Sequence, residues 1–399
     1  MKRIGLFGIG GVYNFGCEAI VRGASQLIKQ VYIDSVIKYY SFNYEYDKKM
    51  LTDLDVEVIE VRTHRTFLDR AINKSYKLLN KEHRVLNFDY IKIIGEIDEL
   101  WSIGGDIYTI PEIIRKQPKY EYYNWLVDFC NRVIEHGKRV VLYGASIGPF
   151  GDYGKAKKYY FGHLRKYEMI LCRERVSQNY LLSNGINNVC FFPDPAFGVH
   201  DSKETERGKE RYIGINLSPL AFCELYGHYS EENKQRMARL VEKMIDKFNY
   251  KVLMIPHVVS DYENDDDLRF QNGIIACIDE KYKDCVKLAD YSQGFLGIKR
   301  QLRECVLVVS ARMHCAINSI VENIPTIMIA YSSKSRGMIE YVYGNDEWIV
   351  DLKDCEKDLV GIAERMWSSK ESVAEYLNRR NSEIEKEYNE LIEHLVWDD

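Results

Sequence analysis

A chain of 399 residues is long enough for about two to three domains at ~100 to 200 residues each. With 46% hydrophobic and 29% charged residues it has enough apolar material for sizeable cores, which excludes a disordered chain. Its 55 Lys and Arg against 60 Asp and Glu leave a formal net charge of −5, which argues against general attraction to a phosphate backbone while permitting a local cationic pocket.

Strand-like apolar runs fall at 3–7, 36–42, 56–61, 99–103, 139–143, 169–172 and 189–192, with helical periodicity between them at 18–31, 67–79, 122–135 and 175–184. A charged run at 200–210, with almost no apolar residue, reads as an interdomain linker or an exposed loop. Beyond it, strands at 212–216, 251–255, 306–309, 326–329 and 348–350 alternate with helices at 231–248, 294–304 and 314–321. This alternation is the signature of parallel sheets with crossover helices. The expectation is an α/β fold of two Rossmann-like domains facing a cleft, residues 1–200 and 211–368, followed by a strongly charged C-terminal helix in 369–399 that is long enough to return to the first domain.

No stretch approaches the ~20 apolar residues of a membrane-spanning helix, and Met1-Lys2-Arg3-Ile4-Gly5 leads directly into strand-like sequence, so a cytoplasmic protein is expected. The ten cysteines include no CxxC pair, which suggests neither a disulfide framework nor a thiolate metal site. None of the nine histidines is paired at helical ligand spacing, so no metal is expected.

In folds of this kind ligands bind in the loops after strands, and those loops hold the informative residues. Gly8-Ile9-Gly10-Gly11-Val12-Tyr13-Asn14-Phe15-Gly16-Cys17-Glu18 fails the dinucleotide fingerprint, because GxGxxG needs glycine where Tyr13 stands. A nicotinamide cofactor is therefore not expected. What remains is a glycine-rich turn into a helix, able to hold an anion or a hydroxyl, with Asn14 and Glu18 as its polar groups; Glu18 can equally complement the helix dipole. Gly104-Gly105-Asp106 places a carboxylate on a tight turn, and Gly144-Ala145-Ser146-Ile147-Gly148-Pro149-Phe150 offers Ser146 among small residues. Arg173, at a strand end, can present a planar fork to a carboxylate or phosphate or pair with a neighbouring acid. Asp194, in Pro193-Asp194-Pro195, either caps a turn or faces the cleft, and the cap is the favoured reading. The densest group is Ser310-Ala311-Arg312-Met313-His314 with Tyr331-Ser332-Ser333-Lys334. There Arg312, His314 and Lys334 describe an anion site that also holds a group able to move protons near neutral pH.

Taken in order over about residues 5–340, these motifs resemble the polysaccharide pyruvyl transferase family. The resemblance implies a GT-B-like fold and transfer of the pyruvyl group of phosphoenolpyruvate onto two hydroxyls of a sugar, as a ketal, with phosphate released. It puts Arg173, Arg312 and His314 where the family binds the donor, the first domain on the acceptor side and the second on the donor side. The chemistry suits the residues, since a donor carrying both carboxylate and phosphate needs several cations, here Arg312, Arg173 and Lys334. His314 is the candidate acid/base, Asp106 or Glu18 would orient or deprotonate the acceptor, and Asn14 and Ser146 are further substrate-binding candidates. No cofactor is implied beyond phosphoenolpyruvate as donor substrate. The partners implied are that donor and a sugar or lipid-linked oligosaccharide, the latter bringing the enzyme to the inner face of the membrane as a peripheral protein. Two other readings remain: a nucleotide-sugar glycosyltransferase of GT-B type, and a non-catalytic sugar-binding member of an envelope-assembly complex.

Overall fold

The strands form two all-parallel sheets. A computed structural model describes residues 1–399 except 65, 80, 202–210, 332, 394 and 396–399, and except the side chains of 333 and 334. Most of the charged run at 200–210 and the side chain of Lys334 therefore lie outside the described residues. The first sheet comprises β1 (Lys2–Phe7), β2 (Ser35–Ser41), β3 (Glu57–Glu60), β4 (Glu99–Ile103), β5 (Arg139–Ala145), β6 (Met169–Cys172) and β7 (Val189–Phe191), in the order β3-β2-β1-β4-β5-β6-β7. The second comprises β8 (Tyr212–Asn216), β9 (Lys251–Met254), β10 (Val286–Leu288), β11 (Cys305–Ser310), β12 (Thr326–Ala330) and β13 (Ile349–Asp351), in the order β10-β9-β8-β11-β12-β13.

Every residue of β4, β8 and β12 is buried, as expected of strands covered by helices on both faces. Both strand orders reverse at one point, between β1 and β4 in the first sheet and between β8 and β11 in the second. The carboxyl ends at such a reversal are where open parallel sheets bind ligands. At the first reversal Gly8 has a φ of +134, and a Cβ there would lie 2.5 Å from the Ile103 carbonyl oxygen, so only glycine lets β1 turn off beside β4.

The chain divides into two compact units, Met1–Val12 with Ile20–Gly198 and Tyr388–Asp399, and Tyr13–Ala19 with Val199–Glu387. The segment Tyr13–Ala19, a turn and the first residues of a helix, groups with the second unit. The reason is hydrogen bonding: Phe15 N donates to the His257 carbonyl at 3.0 Å, and Val259 N to the Tyr13 carbonyl at 3.1 Å. The C-terminal helix, Lys370–Glu393, contributes to both units, and Tyr388 packs on Phe192 with ring centroids 4.9 Å apart.

In the first unit two strand-end loops are tied together from below. Tyr108 forms an isolated parallel bridge with Ile147, and Gly148 N donates to the Tyr108 carbonyl at 2.9 Å. The Tyr108 hydroxyl is hydrogen-bonded to that of Tyr167, which lies 2.9 Å from His163 Nε2, while His163 Nδ1 is 3.1 Å from Asn131 Oδ1. Burial pushes the His163 imidazole down to about 3, with Lys166 adding to the fall.

The folded protein thus keeps His163 neutral while the unfolded chain takes up a proton near pH ~6.5. The unfolded state binds more protons in that window, so stability falls as acid is added below pH ~6.5, by about 1.4 kcal/mol per pH unit until the folded value is reached. Denaturant titrations between about pH 7 and 5 are expected to show this slope, and His163→Gln to remove one histidine's share of it.

Candidate active site

The carboxyl end of the second sheet is organised by Asn216, the last residue of β8 and fully buried. Its Nδ2 donates to the Ile255 carbonyl at 2.8 Å and to Asp267 Oδ2 at 3.3 Å. Its Oδ1 accepts from Arg312 N at 2.8 Å and from the Ser310 hydroxyl at 3.2 Å. One amide thereby joins the ends of β8, β9 and β11 across the strand-order reversal.

Arg312 follows β11 and is 8% exposed. Its Nη2 donates to Asp267 Oδ1 at 2.8 Å and Asp265 Oδ1 at 2.7 Å, and its Nε to Asp267 Oδ1 at 3.1 Å. Burial disfavours the charge, but Asp267 and then Asp265 outweigh it, so the guanidinium pKa rises above its ordinary value. Asp267 opens the helix Asp267–Cys277 and is fully buried. Burial raises its carboxyl, and the Arg312 charge counters the rise.

Two imidazoles lie at this end. His314, in the first turn of the helix Met313–Val321, is half-buried against Gly16: a Cβ on Gly16 would fall 2.4 Å from His314 Nδ1. Only glycine permits that approach. His257 follows β9 and is 1% exposed; its backbone N donates to Asp267 Oδ2 at 3.1 Å. Phe15 and Phe295 flank its ring, with centroids 5.8 and 5.9 Å away. Its buried Nε2 has no hydrogen-bond partner among the described residues, an unusual state for a buried polar atom. Burial drives its pKa well below the ordinary value, and His314 and Arg312 add to the fall, so His257 is neutral at physiological pH.

The segment Tyr13–Ala19, a turn running into a helix, completes this group. Asn14 Oδ1 accepts from Gly16 N at 2.9 Å, which starts the helix Phe15–Val31. Glu18 is fully buried, and its Oε2 accepts from Phe295 N at 2.8 Å, in the first turn of the helix Gly294–Leu302. It thus stands in the first turn of its own helix, as expected, and also meets the first turn of a neighbouring one.

The first unit holds a parallel arrangement. Arg173 follows β6; its Nε donates to the Ser146 hydroxyl at 3.0 Å, Nη1 to Asp194 Oδ2 at 3.1 Å and Nη2 to Asp106 Oδ1 at 3.3 Å. Asp194 is buried and also accepts from Ala196 N at 2.9 Å, the turn cap expected of it, while Asp106 is exposed. Burial opposes the Arg173 charge, and Asp194 and Asp106 outweigh it, raising its pKa. Gly105 packs on the guanidinium: a Cβ there would be 3.3 Å from its nitrogens.

The structure thus gathers Arg312, His314, Asn14 and Glu18 in the second unit, and Arg173, Ser146 and Asp106 in the first. Neither arginine is a bare cation; each guanidinium is held by two carboxylates. Sequence reasoning missed His257, Asn216, Asp265 and Asp267. His257 was within reach, because Pro256-His257 follows the strand predicted at 251–255, the same signal that singled out Arg312. Asn216 reads simply as the end of a strand and Asp267 as a helix cap. Asp267→Ala, which strips the buried guanidinium of its fully buried acid, is expected to cost about 3 to 5 kcal/mol of stability, measurable by denaturant unfolding.

Comparison with known proteins agrees with this architecture. An Anabaena protein, HepE, solved with UDP and glucose, superposes with a TM-score of 0.59 at 11% identity, over 99% of this chain and 99% of that one. The UDP-N-acetylglucosamine 2-epimerase of Neisseria meningitidis, bound to UDP-GlcNAc, gives 0.56 at 8% identity, over 95% and 94%. A putative UDP-N-acetylglucosamine 2-epimerase from Listeria monocytogenes gives 0.56 at 11%, over 94% and 90%. At such identities the likeness is one of fold, that of GT-B enzymes. The sequence is more specific: residues 14–333, spanning the motif loops of both units, match the polysaccharide pyruvyl transferases, and the chain belongs to that family.

Proposed function

We propose that the protein transfers the pyruvyl group of phosphoenolpyruvate to two hydroxyls of a sugar, in a cell-surface polysaccharide or its lipid-linked precursor, and releases phosphate. The observation that carries this reading is the grouping of Arg312, His314 and His257 at the strand-order reversal of the second sheet, in a chain of this family.

Protonation of the donor's methylene carbon makes its C2 electrophilic. One sugar hydroxyl adds there, and a second displaces phosphate to close the ketal. Of the two hydroxyl protons, one is balanced by the new methyl hydrogen and the other leaves with phosphate. His314 is assigned the proton transfer to carbon. Neutral His257 is assigned a hydrogen bond to the reacting group through Nε2. Arg312, oriented by Asp265 and Asp267, and Lys334 are assigned to the donor's anionic groups, whose charge shifts during phosphate departure. Arg173 is the second substrate-contacting guanidinium, with Ser146 beside it and Asp106 as acceptor base or orienting group. Glu18 and Asn14 position the turn against which His314 lies.

Incubation with phosphoenolpyruvate and candidate saccharides, with phosphate measured, is expected to show release only when both are present. In deuterated water the ketal methyl should carry one deuterium. His314→Ala should abolish release without lowering the melting temperature. Release of a nucleoside diphosphate from a nucleotide sugar would overturn the reading in favour of a glycosyltransferase.

Gly16→Ala tests the position of His314 separately. The added methyl displaces the ring, so kcat should fall by about 10²-fold while donor binding, followed by calorimetry, stays close to that of the parent.

A further inference from the structure

The helix Phe67–Leu78 has no buried residue. It is nonetheless well formed: Thr66 and Asp69 make a reciprocal capping box at its start. Asn73 fastens it from one side, donating from Nδ2 to the Val85 carbonyl at 3.0 Å and accepting from Val85 N at 2.6 Å. At ~100° per residue, Phe67, Leu68, Ala71, Leu78 and the cap residue Leu79 fall within an arc of about 120° on the side away from Asn73. That arc is open: Phe67 is 87% exposed, Leu68 66%, Leu78 75% and Leu79 67%. Arg70, Lys74 and Lys77 line one flank of it, and Arg70 and Lys74 enter no ion pair among the described residues. Residues 62–84 carry seven Lys or Arg against two Asp or Glu, in a chain whose net charge is −5.

We infer that this helix is the docking surface for an anionic lipid bilayer, its apolar arc entering the boundary between headgroups and acyl chains and its cationic flank meeting lipid phosphates. An apolar arc bordered by long cationic side chains on a convex helix is the pattern of interfacial helices. The local excess of positive charge supplies the complementarity to an anionic surface, each cation contributing about fivefold in affinity. The inference is independent of the reaction proposed above, since it is read by binding alone.

Cosedimentation of the full chain with phosphatidylcholine vesicles, with and without phosphatidylglycerol, tests it. Binding to the anionic vesicles is expected. Arg70→Gln with Lys74→Gln should weaken it about 25-fold, and Phe67→Ser with Leu68→Ser should abolish sedimentation. All four side chains lack buried contacts, so unchanged melting temperatures are expected and separate lost binding from lost folding. The inference is overturned if the parent chain stays in the supernatant with anionic vesicles, or if the four substitutions leave sedimentation unchanged. A chain that ignores vesicles and instead dimerises through this face, becoming monomeric in the Phe67→Ser, Leu68→Ser variant, would equally overturn it.

Discussion

The contact between Arg312 and Asp267, both buried, constrains the carboxyl end of the second sheet more than any other. A guanidinium can be kept out of water only if acids meet it with good geometry and the remaining lone pairs are satisfied. Here Asp267 takes two donors from Arg312, a third from His257 N and a fourth from Asn216. Because Asn216 also accepts from Arg312 N, the network closes on itself and fixes the exits of β8, β9 and β11 relative to one another. His257 inherits its place from this network through its own backbone, and a buried, neutral imidazole results.

The same physical solution appears in the first unit with different parts. Arg173 is fixed by buried Asp194 on one nitrogen and by exposed Asp106 on another, with the Ser146 hydroxyl on Nε. What both arginines offer is a held orientation more than loose positive charge, since each is flanked by two acids. A planar fork set in advance loses little conformational freedom when it meets an anion.

Much of the fold was legible. The all-parallel sheets were legible because buried parallel strands form continuous apolar runs with helices between them, and the strand at 99–103 has the observed limits, Glu99–Ile103. Strand β10 escaped because it is three residues long and only partly buried, and the helix Cys355–Ser368 because its charged beginning masks the apolar period. The site was legible one residue at a time: Arg312, His314 and Arg173 stand at strand ends, where side chains are placed by the sheet. The acids of Arg312 were not, because Asp265 and Asp267 lie 45 or more residues from it in sequence, and no local pattern links them.

Sequence alone determined the composition of the strand-end loops, the parallel architecture and the family, because these rest on local periodicity and on motifs in order. Only the tertiary structure decided that the segment Tyr13–Ala19 groups with the second unit, that Glu18 caps the helix Gly294–Leu302, and that His257 stands near His314. Those outcomes depend on hydrogen bonds and ring contacts between segments hundreds of residues apart, such as Glu18 to Phe295. Such contacts are chosen by the burial of polar groups that must find partners, and a linear pattern carries no record of which partner each will find.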